Sequence, residues 1–163
     1  MRLPLALAAA LCATAAFAAE PVTADLKTGA GETIGKVTLT AAPKGVLMRV
    51  ETKGLTPGWH GLHFHEKADC SKADFTSAGG HTHGGGARQH GLLNPQANET
   101  GDLPNLYVGA DGVGAAEVFT GLTTLDALKD ADGSAVVVHA AADDHLSQPI
   151  GGAGARVACA TIK

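Results

Sequence analysis

The stretch GLHFHE, residues 61–66, interleaves apolar side chains with imidazoles: Leu62 and Phe64 alternate with His63 and His65. In an extended strand successive side chains point to opposite faces, so both rings project from one face and the apolar pair from the other. Two nitrogen donors on one rigid face make half of a copper or zinc site. The plainer alternative is two polar positions on the wet face of an amphipathic strand.

Similar short runs recur on both sides. PVTADLKT (21–28), TIGKVTLT (33–40), GVLMRVET (45–52), GVGAAEVF (112–119), SAVVVHA (134–140) and ARVACATI (155–162) are alternating or β-branched. Glycine, proline or aspartate marks the gaps between them, as at Pro43, Gly54, Pro57, Asp111-Gly112 and Asp132-Gly133. This is the pattern of an antiparallel sandwich or barrel. Only TTLDALKDA, 123–131, reads as helical, and it is short. Two long polar, glycine-rich stretches, 67–105 and 140–154, escape the pattern; loops of that length in a compact domain are functional or disordered. The first contains Cys70 and GGHTHGGGARQHG (79–91), with His81, His83 and His90 among glycines, so a disulfide and a metal could supply order that a core cannot. His139 ends the apolar run AVVV, where an unpartnered ring would be costly if buried; the alternative is a strand end facing water.

The chain has 163 residues. Its first 18, with Arg2, the apolar run LPLALAAALCATAAF and small Ala16 and Ala18 around Phe17, read as an export signal cleaved before Ala19. The apolar run is too short for a convincing membrane-spanning helix. Cys12 lies inside it, with Leu11 where a lipoprotein signal needs a small residue, and is read as discarded with the signal. Residues 19–163 then form one domain. Without the signal, 12 Lys and Arg fall to 11 against 16 Asp and Glu, a net charge of −5 that argues against nucleic acid or an anionic membrane as partner. Cys70 and Cys159 remain, and an exported chain with two cysteines most simply makes one disulfide. It would close a loop of about ninety residues, worth about 4–5 kcal/mol in the chain-entropy model. A redox-active pair is the rival, but the chain has no C-x-x-C.

Five motifs in order, GWHGLHFHE (58–66), SAGGHTH (77–83), GDLPNLYV (101–108), VVVHAAADD (136–144) and GGAGARVACATI (151–162), carry a family likeness. Over essentially the whole mature chain, the sequence resembles the secreted bacterial copper,zinc superoxide dismutases. The resemblance implies an all-β, eight-stranded Greek-key flattened barrel or sandwich with two long functional loops. It implies a periplasmic enzyme, monomer or homodimer, that converts superoxide to dioxygen and hydrogen peroxide by alternating copper(II) and copper(I). Trp59 and Tyr107 are then either interface anchors or partly buried surface aromatics.

Residue by residue, the resemblance implies copper ligands His63, His65, His81 and His139, with His81 bridging to zinc and carrying a proton in turnover. It implies zinc ligands His81, His90 and Asp102, and a carboxylate, Asp143, that hydrogen-bonds His63 and His90 behind the metals. Arg156 would receive the superoxide anion, and the Cys70–Cys159 disulfide would tie the metal loop to the barrel. The chemistry is consistent with this: imidazole suits both copper oxidation states, and a fixed guanidinium gives a small anion local attraction. His60 reads as structural, His145 as a solvated loop residue, and Lys67 and Lys72 as solvated lysines rather than steering charges.

One position departs from the family. The third zinc histidine usually stands three residues before the zinc aspartate; here that place is Glu99, in NETGD, and no histidine lies between His90 and His139. Glu99 or water could complete the site, His83 could swing into it, or the protein could work on copper alone. The rival functions are a copper-carrying protein on the same fold and a structural sandwich with incidental histidines.

Overall fold

The computed structural model describes residues 20–163, so the signal reading of 1–18 lies outside the described residues. Among the described residues nine strands make one antiparallel sheet: β1 (Val22–Thr28), β2 (Thr33–Ala42), β3 (Gly45–Lys53), β4 (Gly58–His60), β5 (Leu62–His65), β6 (Leu106–Val108), β7 (Val113–Thr120), β8 (Ser134–His139) and β9 (Arg156–Ile162). Their order across the sheet is β4-β6-β7-β3-β2-β1-β9-β8-β5. The two end strands, β4 and β5, are consecutive in sequence and separated only by Gly61, so the sheet is a nearly closed barrel with GWHGLHFH as its seam. Nine strands appear where eight were expected because Gly61 leaves both ladders. Its N–H donates to Ala141 O at 2.8 Å and its carbonyl accepts from His139 N at 2.8 Å. The region read as helical holds one turn, α1 (Leu125–Leu128), capped by Thr124, whose hydroxyl accepts from Ala127 N at 3.2 Å.

The alternation of β5 separates two environments. Leu62 and Phe64 are fully buried in the barrel core with Val136, Val138, Leu103 and Leu106. His63 and His65 pair with Val137 and Ala135 on the outer face. That face is not open to water, because Phe75 and Ala78 from the 67–105 loop pack over Ala135, Val137 and Cys159. Burial on both faces explains why β8 is an unbroken apolar run although its sheet is antiparallel. The loop is fastened there by the Cys70–Cys159 disulfide, whose Cα atoms are 5.9 Å apart.

Between β8 and β9 the register slips after Val138, and Arg156 comes to lie opposite His139. A bulge of this kind re-aims a side chain at the end of a ladder. Trp59 and Tyr107 are paired across β4 and β6, more than half exposed, with ring centroids 4.8 Å apart.

Phe64→Ala should lower the free energy of unfolding by about 3–5 kcal/mol, the usual cost of emptying a buried aromatic site, while Phe64→Leu should cost less. Urea unfolding followed by circular dichroism measures both.

Candidate metal centre

On the outer face, four buried rings converge: His63 and His65 from β5, His139 from the end of β8, and His81 from the loop, whose backbone bridges to His65. One donor atom from each lies within 4.8 Å of the others. His63 Nδ1, His65 Nε2, His81 Nε2 and His139 Nε2 are buried without a hydrogen-bond partner. On three of the rings the other nitrogen is held. His63 Nε2 donates to Asp143 Oδ2 at 2.7 Å, His65 Nδ1 to Gly79 O at 3.0 Å and His139 Nδ1 to Gly154 O at 3.0 Å. A proton on the held nitrogen fixes the tautomer and leaves a lone pair on the free one. Burial, the largest influence on each, pulls His63 down to about 3, His65 to about 2 and His139 to about 4, so these rings are neutral at pH 7. Four converging imidazole nitrogens suit copper, and they do not suit a hard cation.

A second group adjoins the first through His81. His81 Nδ1 lies 2.7 Å from Glu99 Oε2 and 3.2 Å from Asp102 Oδ1, and His90 Nδ1 lies 2.9 Å from each of the same two oxygens. All four residues are buried. Here burial opposes ionisation but is outweighed by hydrogen bonds and charge: Asp102, Asp143 and Glu99 push His90 up to about 11, Asp102 and Glu99 raise His81, and the histidines help to hold Asp102 and Asp143 well below the ordinary carboxylate range. Two ring nitrogens facing two carboxylate oxygens also form a donor set that a divalent cation can use. Asp143 stands behind both groups, accepting from His63 through Oδ2 and from His90 Nε2 through Oδ1 at 3.1 Å.

Arg156 is partly buried beside the first group. Its Nη1 donates to Phe75 O at 2.5 Å and its Nη2 to Gly79 O at 2.7 Å, so loop carbonyls fix the guanidinium. A cavity of about 220 Å³ opens here, lined by His81, Arg88, Glu99, Gln148 and Arg156 among others.

Some sequence candidates lie apart from these groups. His83 Nδ1 is 3.6 Å from Glu66 Oε1, in a surface cluster where Glu66 also pairs with Arg88. His60 sits between the carbonyls of His139, 2.7 Å from Nδ1, and Thr56, 2.8 Å from Nε2. Lys67 and Lys72 are exposed. The solvated reading of His145 needs correction: its ring is partly buried, with Nδ1 3.6 Å from Asp143 Oδ2, and its backbone takes a left-handed φ of 61°.

Two amide clamps escaped the sequence reading. Gln148 brackets the backbone of His90, accepting from its N–H at 2.9 Å and donating to its carbonyl at 2.8 Å. Asn105 does the same for Asp143, with both contacts at 2.8 Å. Asn105 stood in the GDLPN segment, but an amide among polar loop residues carries no signal of its partner. Gly151 also serves Asp143: at φ 60° it leaves room for the carboxylate, and a Cβ there would collide with Oδ1.

Residues 33–162 match the Copper/zinc superoxide dismutase (SODC) family. A Caulobacter vibrioides protein named Superoxide dismutase (Cu-Zn) is 58% identical over 147 residues, covering 86% of this chain and 84% of that protein. Among solved structures, Cu/Zn superoxide dismutase from Brucella abortus aligns with a TM-score of 0.75 and 32% identity, covering 88% of this chain and all of that one. A SOD-like protein from Bacillus subtilis aligns at 0.76 and 32%, covering 86% and 97%.

Removing the shared carboxylate should loosen both groups. Asp143→Ala is expected to weaken copper binding by about 10- to 100-fold, the usual penalty for losing the partner of a ligating histidine. Competition with a chromophoric copper chelator measures it.

Proposed function

The chain belongs to the copper/zinc superoxide dismutase family, and on that premise we propose that it converts superoxide to dioxygen and hydrogen peroxide. The observation that carries this reading is the set of four partnerless imidazole nitrogens, three on rings anchored from behind, with a fixed guanidinium alongside. Copper held by His63, His65, His81 and His139 would supply the redox chemistry, taking an electron from one superoxide and returning it to a second. Zinc would be held by His81, His90 and Asp102.

The protein's own groups handle the anion and the proton. Arg156 is held by two backbone carbonyls and its contacts leave its positive charge unneutralised, so it binds the small anion beside His139. His81 presents Nε2 to the first group and Nδ1 to the carboxylates of the second. It can therefore hold a proton on Nε2 and deliver it to the reduced oxygen, the remaining proton coming from solvent. Asp143, clamped by Asn105, keeps the His63 and His90 rings aimed while this occurs.

We also assign residues 1–18 to a cleaved signal, residues 19–163 to a single domain, and the mature protein to the periplasm. The apolar run and small-residue cleavage pattern at the start of the chain support this, as does the disulfide. Fractionation of expressing Gram-negative cells, with mass spectrometry of the product, should find a periplasmic protein beginning at Ala19. An intact Met1 in the cytoplasm would contradict it.

Arg156→Ala should reduce kcat/KM for superoxide by about 10- to 100-fold, corresponding to loss of a charged hydrogen-bonding partner of about 1.5–3 kcal/mol. Arg156→Lys, which keeps the charge and loses the fork, should lose less. Pulse-radiolysis decay of superoxide with the copper-loaded proteins reads both, and an inactive wild type would overturn the assignment.

A further inference from the structure

Resting on the two-metal reading above, we propose that Glu99 is the fourth ligand of the second metal ion, in the place where the family ordinarily has an imidazole. Two ring nitrogens, His81 Nδ1 and His90 Nδ1, each face the same two carboxylate oxygens, Asp102 Oδ1 and Glu99 Oε2. The four nitrogen-to-oxygen separations are 2.7, 3.2, 2.9 and 2.9 Å. Around a tetrahedral zinc with bonds of about 2.0–2.1 Å, neighbouring donors stand about 3.3 Å apart. The protein therefore holds the donor set a few tenths of an ångström inside the spacing a zinc ion needs, and a small outward movement admits it.

Hydrogen bonding alone explains the arrangement poorly. Each ring nitrogen faces two carboxylate oxygens at similar distance, and a single N–H aims well at only one acceptor. A dication at the centre satisfies every donor together. Asp102 keeps its other oxygen occupied by Gly91 N at 2.7 Å, and His90 keeps its other nitrogen on Asp143. Their free atoms are the ones that face inward.

The backbone sets the position of Glu99 before any ion arrives. Its residue forms an antiparallel bridge with His83, the neighbouring Asn98 N donates to Gln89 O at 3.0 Å, and Thr100 N donates to Thr82 O at 2.8 Å. The carboxylate is 95% removed from solvent, which would be costly for a group with no cationic partner. The competing candidate, His83, turns its Nδ1 towards Glu66 at the surface.

The chemical result is a site of two nitrogens and two oxygens. Two carboxylates cancel the charge of a divalent ion, whereas the ordinary set of three imidazoles and one carboxylate leaves it one unit positive. The His81 bridge then joins the copper group to an electrically neutral partner, and Arg156 is left as the fixed cation facing the substrate.

The test compares wild type, Glu99→Gln and Glu99→His, purified without chelators. Zinc per chain, zinc affinity by chelator competition and the visible spectrum of the cobalt(II)-substituted protein are measured for each. Wild type should hold one zinc per chain. Glu99→Gln should bind zinc at least about 100-fold more weakly, at or beyond the loss typical of an outer contact, and Glu99→His should recover most of that loss with a changed cobalt spectrum. Should Glu99→Gln not fold, the cobalt spectrum of Glu99→His decides alone: an unchanged spectrum overturns the proposal. Undiminished zinc affinity in a folded Glu99→Gln protein, or a wild type that binds no zinc, also overturns it. Copper binding and superoxide decay in the same wild-type samples report separately on the enzyme reading, so either conclusion can fail without the other.

Discussion

Four imidazole nitrogens buried without partners are the constraint around which the rest of the molecule is arranged. Each unsatisfied buried polar atom costs about 1–3 kcal/mol, and a small domain has only about 5–15 kcal/mol of net stability to spare. Such a cluster persists only if the surroundings leave the rings no other conformation. The strand ladder fixes His63 and His65, the end of the neighbouring strand fixes His139, and a bridge to the strand fixes His81. Carbonyls and Asp143 occupy the outward nitrogens of three of them. The sheet is the rigid support, and the loops supply the anchors.

The two halves of the centre are in opposite electrostatic condition. Around His63, His65 and His139, burial dominates and the rings are neutral. Around His90, carboxylates dominate and charge is concentrated. His81 belongs to both halves, with one nitrogen in each. A single ring thereby separates a site suited to changing oxidation state from one suited to holding a fixed cation.

Most strands could be read from the sequence because alternation and turn residues are local signals, and β2, β3, β7, β8 and β9 lie within two residues of their expected bounds. The three-residue strands β4 and β6 could not, since three residues are too few to show a period. The histidines of the buried cluster were recognisable because they sit in ordered family motifs, two of them on a strand with a fixed side-chain direction. The choice between Glu99 and His83 was not legible. Both lie in a glycine-rich loop, where the direction of a side chain depends on hydrogen bonds to Gln89 and Thr82 and leaves no periodic trace. The placing of Arg156 depends in the same way on a one-residue slip in register that no local pattern announces.

The seam at Gly61 has a consequence for how the molecule assembles. The ring of strands is completed when β9 meets β1, a pairing between residues near opposite ends of the described chain, and when β5 meets β8, strands some seventy residues apart. Contacts so distant in sequence carry a larger loop-closure cost than the local pairings of the β1-β2-β3 meander. His139 and Arg156 belong to strands whose partners in the sheet, β5 and β1, are distant in sequence. The four-histidine cluster therefore exists only where strands from distant parts of the chain have met, and no local segment of the chain can form it alone.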